Sequence, residues 1–306
     1  MISTLQPPLN DARPASIKGA ASVESVSFDS LGVAIEGLFV HAHGEGKRPV
    51  LIVSHGAGEF KENYFEMASS LARRGISCLL LDMHGHGASG GPPYHVSMKE
   101  WVADLMGALD YLGRRDDVDP RRIGAFGLSS GGTAILETAV IDPRLRALVA
   151  LDATVMNTLP LSATITIASF SMLGYLKRLI TGTDLRISIV KLLDEVALAS
   201  DPAIAAKMRV DPGKLKAFQN FPLPGAAQAF FVNTIRRVSK ITIPTLVIWG
   251  EDDQLDPVTT AHALHDALTC EKQLEIIAGN GHVGHLDRNR ERVFDLTAEW
   301  LLKHLA

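Results

Sequence analysis

Short apolar runs and helical periodicities take turns along this chain, and that alternation constrains its fold more than any other feature. Runs at 33–40, 49–54, 76–82, 122–128, 147–152, 245–249 and 273–278 are bounded by Gly, Pro or Asp and read as strands. Several are apolar throughout, as strands covered on both faces must be. Between them the spacing predicts helices over 64–74, 98–114, 133–140, 259–268 and 290–304. Such alternation needs crossover connections, so an α/β fold with a mostly parallel sheet flanked by helices is expected.

The rhythm breaks once, between 152 and 245. A stretch this long is not a bare loop in a parallel fold, and its apolar content predicts helices of its own. The expected organisation is a core of residues 1–154 and 241–306 with a helical cap, 155–240, inserted into it. The start of the insertion, 153–176, is uncharged, yet Asn157, Pro160, Thr164 and Thr166 interrupt it and argue against a membrane span. With 306 residues, 46% hydrophobic and 21% charged, the chain can bury a sizeable core, which excludes disordered and fibrous classes. The first 22 residues hold no apolar run long enough for a signal-peptide core, so a loose leader on a cytoplasmic protein is expected. Cys78 lies inside an apolar run and Cys270 far from it, which suggests neither a disulfide framework nor a zinc site.

The stretch GLSSGG, Gly127 to Gly132, follows one predicted strand and opens a helix. It fits G-x-S-x-G with Ser129 central, so spacing selects Ser129 over Ser130 as a nucleophile. Gly127, Gly131 and Gly132 leave room for strand and helix to approach around a sharp turn. The helix N-terminus behind it offers backbone N–H groups that favour developing negative charge. The competing reading is a glycine-rich turn with capping serines.

A serine hydroxyl needs a base, and the base an orienting acid. His282, in GNGHVGH after the last predicted strand, is preferred as base because Gly279 and Gly281 allow a tight loop to present it; His285 is the competitor. The acid is sought in GEDDQLDP, which crowds four carboxylates into six positions. Asp253 is preferred, Asp252 and Asp256 being read as caps of the helix that starts near Pro257. Asp152, at the end of its own strand, is the rival acid. Because crowded carboxylates disfavour full ionisation, the true acid should be the one tied by hydrogen bonds. Backbone N–H groups of Ala57, in SHGAGEF, and of Ser130 are the expected oxyanion donors. His55 in the same loop reads as a hydrogen-bonded imidazole that holds the turn. His84 and His86 in DMHGHGASGG, and His41 and His43, lack a further ligand at suitable spacing, so no metal and no cofactor are expected.

Taken together, HGAGE at His55, DMHGHGASGG at Asp82, GLSSGG at Gly127, PTLVIWGEDDQLDP at Pro244 and GNGHVGH at Gly279 resemble the α/β-hydrolase family. The similarity is to its capped serine hydrolases, of monoacylglycerol-lipase-like, feruloyl-esterase-like and S33-peptidase-like type, and covers nearly the whole chain outside the insertion. One departure is His84, where such sequences often carry arginine, which puts one loop contact in doubt. The resemblance implies a central sheet of about eight strands, with Ser129 as nucleophile, His282 as general base and acid, and Asp253 as orienting carboxylate. Serine at 129 disfavours dehalogenase and dienelactone-type chemistry.

The resemblance leaves the substrate open. Phe170, Met172 and Leu173 are expected either to line a pocket for an acyl chain or to pack the insertion. Net charge is -4, against a nucleic-acid partner, but residues 155–240 hold eleven Lys and Arg to five Asp and Glu, a balance of +6. Lys177, Arg178, Lys214, Lys216, Arg236 and Arg237 are expected on the surface, steering an anionic substrate, an acyl carrier or a membrane surface, or merely solvated. The expected activity is hydrolysis of a carboxylic ester, or a thioester, with an apolar acyl part. The alternatives are peptidase or carbon-carbon bond hydrolase chemistry on the same residues, or a ligand-binding protein without turnover.

Overall fold

The structure is a computed structural model and describes residue 17, residues 19–191 and residues 196–306. The leader up to residue 16 lies outside the described residues, as do Asp194 and Glu195 of the insertion's charge balance. Eight strands form one sheet: β1 (Ser22–Ser30), β2 (Val33–His41), β3 (Arg48–Ser54), β4 (Ser77–Leu81), β5 (Val118–Leu128), β6 (Ala147–Leu151), β9 (Thr245–Gly250) and β10 (Lys272–Ile277). Their spatial order is β1-β2-β4-β3-β5-β6-β9-β10. β2 runs antiparallel to both its neighbours, and the other pairings are parallel. The α/β class and the mostly parallel sheet agree with the sequence reading.

The apolar runs have their physical reason here. Successive residues point to opposite faces, so Ile52, Ala125 and Val247 join the core layer that holds α2 (Met98–Gly113), α3 (Ser130–Ile141) and α7 (Val258–Ala267). Their neighbours Leu51, Phe126 and Leu246 join the layer that holds α1 (Phe65–Arg73) and α8 (Arg290–His304). Both faces being covered, neither set can be polar.

β1 escapes the sequence pattern because it is an edge strand with one covered face. In SVESVSFDS the buried positions are Val26, Phe28 and Ser30, Val23 is half-buried, and the rest are exposed. α3 also starts three residues before the predicted 133, because Ser129 turns the chain so sharply that strand passes almost directly into helix.

Between β6 and β9 lie α4 (Leu161–Thr181), a short antiparallel pair β7 (Leu185–Ile187) and β8 (Phe221–Leu223), α5 (Pro202–Val210) and α6 (Pro212–Gln219). Asp201 and Asp211 cap α5 and α6, each followed by proline at the first helical position. α4 departs from expectation. Among the described residues its one buried position is Gly174, where an added Cβ would stand 2.1 Å from the Leu223 carbonyl oxygen. Leu161, Ile165, Leu179 and Ile180 are between 56% and 84% exposed. Phe170, Met172 and Leu173, expected to line a pocket or pack the insertion, are exposed as well, so both expectations fail: α4 meets the rest of the molecule along one narrow stripe. Among the described residues, no helix is long and apolar enough to cross a membrane.

Candidate active site

Ser129 stands between β5 and α3 with φ 52 and ψ -120, in the left-handed region that a residue with a side chain avoids. Close backbone packing imposes this turn. A Cβ on Gly131 would come within 2.3 Å of the Ser54 carbonyl oxygen, and one on Gly132 within 2.5 Å of the Ala153 Cβ. Ser129 occupies the N-cap position, yet its side chain caps nothing, which removes the reading of a capping serine. Its Oγ instead lies 3.3 Å from Thr154 Oγ1, and Thr154 donates to Asp256 Oδ2 at 2.7 Å. With the Thr154 proton directed at Asp256, the Thr154 oxygen accepts from Ser129. Ser130 Oγ is buried with no hydrogen-bond partner among the described residues.

His282 and Asp253 come from loops that follow β10 and β9, neighbours in the sheet. His282 Nδ1 lies 2.8 Å from Asp253 Oδ2, and both residues are buried. The other oxygen, Oδ1, accepts from the backbone N–H of Leu255 at 2.8 Å and of Asp256 at 3.0 Å, so the carboxylate is held by its own turn. Burial by itself disfavours the imidazolium, but the Asp253 charge and hydrogen bond outweigh it and raise the His282 pKa to about 9. The neighbouring acids behave differently. Asp152, also in the left-handed region at φ 44, accepts from Gly250 N–H at 2.7 Å, and burial pushes its carboxyl well above the usual range, with the Asp253 charge adding to the effect. Burial likewise raises Asp256 to about 6. Neither Asp252 nor Asp256 caps α7: its N-cap is Pro257, Asp252 accepts from Ser200, and Asp256 from Thr154.

His285 is packed elsewhere, stacked on Tyr64 with ring centroids 4.4 Å apart and planes at 5°. Burial lowers its pKa to about 4, leaving a neutral ring. In the loop after β3, His55 Nδ1 donates to the Gly56 carbonyl at 2.8 Å and its Nε2 accepts from Met83 N–H at 3.0 Å, which fits its expected turn-holding role. His86 works in the same way, tying the His84 carbonyl to Gly58 N–H. His84, the departure noted in the sequence, pairs with buried Asp104 on α2 at 2.5 Å. Both ring nitrogens of His55 and His86, and Nδ1 of His84, are thus committed to protein partners.

Ser129, Ser130, His282 and Ala57 border one cavity whose remaining wall is largely apolar. Phe218, Phe221, Phe230 and Ile189, all from the insertion, contribute to that wall. Two charged residues border it too, and sequence reasoning missed their position: Glu59 from the loop after β3 and Lys214 from α6, 2% and 3% exposed. Lys214 was expected on a basic surface, and the structure buries it. Thr154 was also missed; the signal is its place beyond β6, which becomes adjacent to the Ser129 turn only once β5 and β6 are paired through Leu128 and Leu151. The cavity thus carries a serine hydroxyl and a carboxylate-oriented imidazole around a largely apolar space, residue types that acyl transfer can use.

A family model described as serine aminopeptidase, S33, matches residues 45–289. Monoacylglycerol lipase of Mycolicibacterium smegmatis is 27% identical over 264 residues, which cover 84% of this chain and 89% of the relative. Polyketide transferase grgF of a Penicillium species is 23% identical over 299 residues, 94% of this chain and 97% of the relative. The solved α/β hydrolase GrgF from Penicillium sp. sh18 has a TM-score of 0.78 at 20% identity, covering 92% of this chain and 99% of that one.

Proposed function

Because the chain belongs to the α/β-hydrolase family, through its match to the S33 serine aminopeptidase model, we propose that it cleaves carboxylic esters through an acyl-enzyme on Ser129. The observation that carries this reading is buried His282, 2.8 Å from Asp253, on the same cavity as a serine held at φ 52. Ser129 Oγ attacks the ester carbonyl carbon while His282 Nε2 takes its proton, and Asp253 stabilises the imidazolium through Nδ1. The backbone N–H groups of Ala57 and Ser130 receive the oxyanion. The tetrahedral intermediate then expels the alcohol, which leaves with the proton from His282. Water, deprotonated by the same ring, attacks the acyl-enzyme and releases the acid and free Ser129.

An ester with an apolar acyl part is favoured by the wall of Phe218, Phe221, Phe230 and Ile189, and by the monoacylglycerol lipase among the relatives. Peptidase action on a free N-terminus needs an unpaired acid at the cavity. Among the described residues the carboxylate bordering it is Glu59, which Lys214 already neutralises. Residues 155–240 act in this reading as a cap over Ser129. The exposed apolar side of α4 supports a lipid surface as the place where substrate is met; loss of co-sedimentation with phospholipid vesicles in Leu173→Asp/Ile180→Asp tests that part. The central test is hydrolysis of a graded series of p-nitrophenyl esters, with fluorophosphonate labelling of Ser129. No preference for acyl chains beyond acetate removes the apolar-pocket idea, and failure to label folded protein favours a non-catalytic binding role. The polyketide transferase relative supports a second reading, in which an acceptor alcohol or amine rather than water takes the acyl group.

A further inference from the structure

Lys214 and Glu59 form a charged pair in a wall that is otherwise largely apolar. Their side chains are almost completely buried, and Lys214 Nζ stands 3.5 Å from Glu59 Oε1, long for an N–H···O bond. Glu59 is well provided for. Its Oε2 accepts from the Tyr64 hydroxyl at 2.8 Å, and His285 Nε2 stands 3.9 Å away. Burial works against its charge, yet the Lys214 ammonium together with the other groups around the carboxylate, the Tyr64 hydrogen bond among them, outweighs that and holds the carboxyl down at about 2. Lys214 is the under-used partner. An ammonium has three donors, and among the described residues the acceptor for its Nζ is the distant Glu59 oxygen.

Burying a charged pair in an apolar wall costs free energy that the mutual attraction rarely returns in full, so packing alone gives it no advantage over apolar side chains. Unspent donors on a buried ammonium that borders a ligand cavity do have a use. We propose that Lys214, oriented by Glu59, is a recognition point for an uncharged oxygen, a ketone or hydroxyl, carried on the acyl chain of the substrate. This rests on the ester-hydrolase reading above and narrows its substrate class from apolar acyl chains to oxygenated ones.

Charge decides which oxygen. Glu59 already balances Lys214, and neutral His285 adds no positive charge, so a carboxylate entering here meets a site with no net attraction and a nearby anion. A ketone accepts from Lys214 at no such cost. A hydroxyl can accept from Lys214 and also donate to Glu59.

The test uses p-nitrophenyl esters of one chain length in which a single methylene is replaced by a ketone at successive positions, beside the unsubstituted ester and one ending in a carboxylate. At one ketone position kcat/KM should exceed that of the plain ester by about tenfold, the worth of one charge-assisted hydrogen bond. The carboxylate ester should be the poorest. In Lys214→Met the ketone-to-plain ratio should fall to about one; should that variant not fold, Lys214→Met/Glu59→Gln, which leaves no unpaired buried charge, carries the measurement. A purely structural pair would lower all rates together and leave the ratio unchanged, and that result overturns the proposal. So does a wild-type protein with no preferred ketone position, or one that prefers the carboxylate. A second arm separates this from the ester-hydrolase reading: binding of the corresponding unreactive amides to Ser129→Ala, in which turnover plays no part. If wild-type protein hydrolyses none of the esters but the variant binds the ketone amide about tenfold more tightly than the plain one, the hydrolase reading fails and the recognition point stands. Equal binding overturns the recognition point whatever the esters do.

Discussion

α3 and α4 are both apolar helices, yet the molecule treats them in opposite ways. In α3 every residue from Ser130 to Thr138 is buried; in α4, uncharged until Lys177, the buried residue is Gly174. Composition therefore does not decide burial. What decides it is how closely neighbouring elements can approach. Gly131 and Gly132 let α3 settle on the carbonyls at the end of β3 and on Ala153, while α4 offers a single such position, Gly174 against Leu223. A buried Leu or Ile contributes about 1.5–3 kcal/mol relative to an exposed one, so α3 contributes to stability at each turn and α4 mainly along one stripe.

The comparison can be tested from its functional end first. Ser129→Ala, at the N-terminus of α3, should lower ester turnover by about 10⁴-fold or more while the melting temperature holds; near-normal p-nitrophenyl ester hydrolysis would place the chemistry elsewhere. Asp253→Asn should cost about 10³–10⁴-fold in kcat, because the amide can no longer hold and stabilise the imidazolium. Next comes Ile135→Ala in α3, expected to lose about 2–5 kcal/mol in denaturant unfolding. The matching change in α4, Ile180→Ala, should stay within about 0.5 kcal/mol. Equal losses would mean that α4 is as well packed as α3.

A pH profile reads the pair behind the helix. Base catalysis needs neutral His282, and Asp253 raises the pKa of that ring from 6.5 to about 9, so kcat/KM should climb with pH through a midpoint above 6.5. Asp253→Asn should move the midpoint downward, and an unmoved midpoint would assign the titration to another group. The smallest effect is expected from Ser130→Ala. Its hydroxyl is buried without a partner among the described residues, and the proposed oxyanion contact uses only the backbone N–H, so rate and stability should change little.

The strands covered on both faces could be read from the sequence because no polar residue survives at Leu51, Ile52 or Phe126. β1 could not, since six of its nine positions face outward or are only half covered. At the site, Ser129 was legible because its turn is local: glycine spacing, a strand before it and a helix after it lie within a dozen residues. The carboxylates of EDDQLD were legible as a group, but the hydrogen bonds that distinguish Asp253 from Asp252 and Asp256 depend on how that loop closes.

By itself, then, the sequence determined the alternating α/β architecture, the serine turn and a short set of partner candidates, because these follow from backbone periodicity and steric demands over neighbouring residues. Tertiary structure alone decided that Thr154 meets Ser129, that α4 faces outward and that Lys214 is buried against Glu59. The last two residues are 155 positions apart. A lysine in a polar helix carries no local sign that another segment will enclose it; its burial is a property of the closed chain.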